Sequence, residues 1–97
     1  MDQSEKDAGT IAVLMLRMEE SRIPRAERML EKVDQGETLS DSDMSFLHRV
    51  YEDYRANQLI IERNHDFAKL MNAFFGLYTE IIEKAIKNEE LRGPSDQ

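Results

Sequence analysis

Glu62-Arg63-Asn64-His65 has the Glu-x-x-His spacing that helical carboxylate metal sites use to aim two ligands into a bundle interior. The motif occurs once and straddles a predicted turn. A complete site needs further carboxylates, or a symmetric second copy that supplies them. His48 and Glu52, one helical turn apart, could contribute two more ligands. Glu62, His65, His48 and Glu52 therefore define a metal-binding alternative. The plainer reading takes His65 as a turn or capping residue and His48 as a histidine at the edge of an apolar stripe. The plainer reading is preferred.

Asp41, Asp43, Ser45 and Glu52 fall at positions 1, 3, 5 and 12 of a calcium loop, but Phe46 stands where the sharp turn needs glycine. The same segment reads as a helix start, and it cannot be both. Arg22, Arg25, Arg28 and Lys32 are the main concentration of bases. Arginine can grip a phosphate or carboxylate with two parallel hydrogen bonds. Glu19, Glu20, Glu27 and Glu31 are interleaved with them, so a solvated, mixed-charge surface is expected instead. Tyr51, Tyr54 and Tyr78 lie on or near apolar stripes and read as core or interface residues. There is no Ser/His/Asp constellation, glycine-rich phosphate loop or nucleophile–base pair, and Cys is absent. Thiolate chemistry and disulfides are excluded. The expectation is a non-enzymatic protein that needs no cofactor.

These residues sit in a chain of 97 residues with net charge -7, of which 40% are hydrophobic and 34% charged. That is the composition of one small folded domain, spanning residues 1–97, rather than of a disordered chain. No third of the chain is basic, so a nucleic-acid partner is not expected. The longest apolar run, Ile11 to Leu16, is far short of a membrane span and a poor signal peptide. A cytoplasmic, soluble protein without membrane contact is expected.

The apolar spacing is helical throughout. A first helix is expected over about 7–22, with Ser4 and Asp7 as a possible cap. Ile11, Leu14, Met15 and Met18 form its stripe, while Val13 and Leu16 lie off it. Pro24 must kink this helix or start a new one over about 24–34, which Gly36 then terminates. Ser40 caps the next helix, over about 41–63, Asp43 at its third position favours the helix dipole, and Leu39 and Met44 can form a hydrophobic staple. Leu47, Val50, Tyr51, Tyr54 and Ile61 share its inner face, and Leu59 and Ile60 fall outside. The last helix, over about 66–91, carries Phe67, Leu70, Met71, Phe74, Leu77, Tyr78, Ile81 and Ala85 on one face. Phe75, Ile82 and Ile86 widen that arc to about half the circumference. Glu80–Lys84 and Glu83–Lys87 can pair along its surface. Gly76 lies on its polar side, where glycine costs about 1 kcal/mol relative to alanine. The termini, about 1–6 and 92–97, are expected to fray.

The fold class read from this pattern is all-α. A long antiparallel helical hairpin is covered by the kinked or broken N-terminal helix pair. The apolar faces exceed what one small domain should need. That excess predicts a homodimer acting through helix-mediated protein–protein contact, with Val13, Leu16, Leu59, Ile60, Phe75, Ile82 and Ile86 at the interface. A ligand pocket between helices is a further possibility that no residue locates.

Overall fold

The computed structural model describes residues 3–92, and it is all-α. The elements are α1 (Gln3–Arg17), a π-helical turn (Met18–Arg22), α2 (Ile23–Asp34), α3 (Asp41–Ala56), α4 (Gln58–Arg63) and α5 (His65–Arg92). They form three rods side by side, in a molecule measuring 59 × 20 × 19 Å. The first rod is α1, the π turn and α2; the second is α3 and α4; the third is α5.

The first rod is kinked but not broken. Arg17, Arg22 and Ile23 all keep right-handed helical dihedrals, and the Ile23 N–H reaches back five residues to the Met18 carbonyl. Proline has no N–H to give, and its ring crowds the carbonyl four residues back, here that of Glu20. Widening the ladder over the preceding turn accommodates both defects. α1 begins at Gln3, earlier than the expected start near residue 7; residues 1–2 and 93–97 lie outside the described residues. Ser4 is inside the helix and does not start it. Asp7, its expected capping partner, instead pairs with Arg63.

The first rod ends on a glycine-dependent stop. Gly36 takes φ 89°, its N–H donates to the Val33 carbonyl, and the Glu37 N–H donates to that of Lys32. This is the paired geometry that satisfies the last helical carbonyls. α3 then opens on the expected Ser40 cap, which Asp43 completes into a capping box. Ser40 Oγ accepts from the Asp43 N–H at 3.1 Å, and Asp43 Oδ2 accepts from the Ser40 N–H at 3.0 Å.

The second rod departs from the single helix expected over 41–63. It is interrupted at Asn57, with φ −112° and ψ 17°. The Asn57 side-chain amide donates to the Asp53 carbonyl at 2.8 Å, beside the bond that the Asn57 backbone N–H makes to the same oxygen at 3.1 Å. Asn64 repeats the device, donating to the Ile60 carbonyl at 2.8 Å, and forms by itself the link between α4 and α5.

Rod directions follow from the contacts between them. Tyr54 packs on Phe75 with ring centroids 4.7 Å apart, and Tyr78 Oη donates to the Leu47 carbonyl at 3.5 Å. Rising numbers in α3 meet falling numbers in α5, so these two are antiparallel. Asn88 reaches the Val33 carbonyl at one end of the molecule, and Met18 and Met71 line the same internal cavity nearer the other. α2 and α5 are therefore parallel. The shared core contains Leu14, Met18, Ala26, Met29, Phe46, Leu47, Val50, Ile61, Phe67, Met71, Phe74 and Ile81. Phe46 takes the inner position on α3 that was expected of Tyr51, which is 44% exposed.

Candidate interaction surface

The polar residues with the most promising chemistry hold the rods together. Asp43, 8% exposed, is the hub of the α2–α3 joint. Beyond its capping bonds it accepts from Lys32 Nζ at 2.9 Å and lies 3.5 Å from the Arg25 guanidinium. Burial pushes its carboxyl pKa up, but the bonds from Lys32 and Ser40 outweigh burial and hold it at about 2. Arg25 also donates to the Ser42 carbonyl and hydroxyl and stacks 4.6 Å over the Phe46 ring. Arg22 pairs with Asp53. The expected solvated surface therefore applies only to Arg28, which is exposed. Arg22, Arg25 and Lys32 are clamps between the first two rods.

A further clamp lies at the other end. Arg63 grips buried Asp7 with two bonds, Nε at 2.9 Å and a terminal nitrogen at 3.1 Å. The carboxylate raises the guanidinium pKa, against a smaller opposing effect of burial.

The four metal-candidate residues do not converge. His48 and Glu52 form an exposed pair on α3 at 3.0 Å. Glu62 is on α4 and His65 opens α5, with non-helical Asn64 between them, so the Glu-x-x-His spacing does not place both on one helical turn. Among the described residues, no group of three His, Asp or Glu side chains is placed to hold an ion. The calcium-loop residues Asp41, Asp43, Ser45 and Glu52 all lie in α3, within helix and not loop. The internal cavity beside Arg22 and Asp53 is about 10 Å³, room for at most one water.

The open features are apolar. Between the start of α3 and the second half of α5 runs a groove of about 320 Å³ lined by Leu39, Met44, Ile82, Ala85, Ile86 and Glu89. Along the same seam, Phe75 packs against Tyr54, Phe74 and Tyr78. Burial, with Tyr51 alongside, raises the Tyr78 pKa. Met44 is 52% exposed and Ile86 54%.

The seven residues expected at an interface divide into two groups. Val13, Leu16, Leu59 and Ile86 are half or more exposed, whereas Ile60, Phe75 and Ile82 are half-buried. Phe75 and Ile82 pack in part on the chain's own core. Met44, Tyr51 and Leu91 are exposed apolar residues that the sequence reading did not place at the surface. Met44 and Tyr51 are seven residues apart in one helix, which is the signal that could have paired them.

Comparison with known proteins adds no relative: no family model, curated protein or solved structure matches the chain. Among the described residues, no helix is long and apolar enough to cross a membrane.

Proposed function

We propose that this protein is a small cytoplasmic, non-enzymatic interaction module that works by self-association and by helix-mediated contact with other proteins. The supporting observation is the α3–α5 seam, where Met44 and Ile86 stay exposed at an apolar groove and Tyr51, alongside Tyr78, is exposed as well. Scattered exposed apolar residues need no explanation, but a contiguous set along one seam marks an interaction surface. Aromatic and methionine side chains are the types enriched at interface centres. Assembly as a homodimer would cover this seam.

Sedimentation equilibrium of the untagged chain at low micromolar concentration tests the reading. The expected result is a mass of two chains. A single-chain mass throughout this range would overturn it.

A further inference from the structure

The open edge of α5 carries a second pattern. Ala68, Asn72, Phe75, Thr79, Ile82 and Ile86 follow at alternating steps of four and three, the spacing of a coiled-coil seam. None is fully buried, and Asn72, Thr79 and Ile86 are exposed. Beside this seam, seven residues apart, lie Lys69, Gly76 and Glu83, all exposed. They occupy the flank where coiled coils form ion pairs between helices.

Within one chain this flank is unused. Lys69 and Glu83 have no ion-pair partner among the described residues, and the expected Glu83–Lys87 pair does not form. Fourteen residues separate Lys69 from Glu83, about 21 Å along a straight helix, so they cannot reach each other. A Cβ at Gly76 would meet nothing within 4 Å, so the chain's own packing gives no reason for glycine in the middle of α5.

Building on the self-association proposed above, we infer that a second copy of this chain lays its α5 antiparallel on this seam, with the two-fold axis beside Gly76 and Thr79. An antiparallel pair brings matching flanks together. Lys69 of each copy then faces Glu83 of the other, and Gly76 meets Gly76 where the two backbones come closest. The same register sets bulky Ile82 and Ile86 of one copy against the smaller Asn72 and Ala68 of the other. A parallel pair would instead oppose this charged flank to the Met71, Tyr78 and Ala85 side of the second copy, leaving both charges unmatched.

Charge swaps on the full chain, read by sedimentation velocity, test the arrangement. Lys69→Glu and Glu83→Lys should each weaken dimerisation on the order of tenfold, by replacing two cross-copy attractions with repulsions. The double variant should recover to within about twofold of the parent, because the swapped charges again face their opposites. Thr79→Arg, which places like charges beside the axis, should give a monomer with undiminished helical circular dichroism. Should that variant misfold, the swap series still decides. Dimerisation unchanged in both single swaps, or a double variant no better than either single, would overturn this arrangement while leaving self-association standing. A parent chain that stays monomeric would overturn both.

Discussion

The two seams that α5 makes with its neighbours are built differently. Against α2 it is stitched with polar bonds: Lys84 reaches Asp34, and Asn88 donates to the Val33 carbonyl and to the Glu37 carbonyl just beyond α2, both at 2.8 Å. These bonds use main-chain acceptors at the end of α2 that would otherwise need water. Against α3 the same helix offers rings and aliphatic chains, with one long bond from Tyr78. The first seam is complete within one chain. The second has an inner half packed and an outer half uncovered. A small bundle thus separates the faces that hold it together from the face it can offer to a partner.

Ile81 and Ile86 give the largest test of this contrast. Ile81 is fully buried, and Ile86 is 54% exposed. Ile81→Ala should cost about 3 kcal/mol in urea unfolding, whereas Ile86→Ala should cost under about 0.5 kcal/mol at concentrations where the chain is monomeric. Equal losses would show that the outer half of the α3 seam is already covered within one chain.

Asp43→Ala should follow, at about 2 kcal/mol, because it removes the carboxylate half of the capping box and strips Lys32 of its partner. The pH dependence has a definite sign. The folded pKa of about 2 lies below the ordinary 3.8, so the contribution is full above pH about 4 and is lost as pH falls toward 2. Parent and variant should therefore converge in stability through that window in acid titrations followed by circular dichroism. A constant gap between them would rule out the ionised hub.

The smallest effect compares the stitches directly. Asn88→Ala should cost about 1 kcal/mol, and Tyr78→Phe at most a few tenths, since the tyrosine bond is long. Thermal melts of the two variants side by side would check the order. A reversed order would mean that α3, not α2, is the polar-locked neighbour of α5.

Much of the architecture was legible because local chemistry agreed with the global packing. Ser40 and Asp43 announced the start of α3, Gly36 announced the end of α2, and the three-and-four stripe of α5 ran almost to its observed ends. Asn57 was not legible. Asparagine is tolerated inside helices, and its type alone does not announce the departure from helical dihedrals seen here. Tyr51 was expected inside and Phe46 sits there instead, because the two lie at opposite margins of the apolar arc. Only the position of the first rod decides which margin turns inward. The basic cluster was misread for a related reason. Interleaved glutamates made it look self-neutralised, whereas Asp43 and Asp53, well separated in sequence, claim three of its four members. The exposed side of the α3–α5 seam could be anticipated from α5, whose arc is too wide for its neighbours, but not from α3.

The shape of the molecule bears on how its assembly should be measured. Its radius of gyration is 15.9 Å, against about 12–13 Å for a compact domain of this length. A rod drags more water than a sphere, so gel filtration would exaggerate the mass of a single chain, and light scattering or sedimentation must supply it. Two rods lying antiparallel about the middle of α5 would double the mass while scarcely lengthening the particle beyond 59 Å. Two rods joined end to end would nearly double its length. In small-angle scattering the longest interatomic distance, taken together with the forward intensity, would distinguish a thicker particle from a longer one.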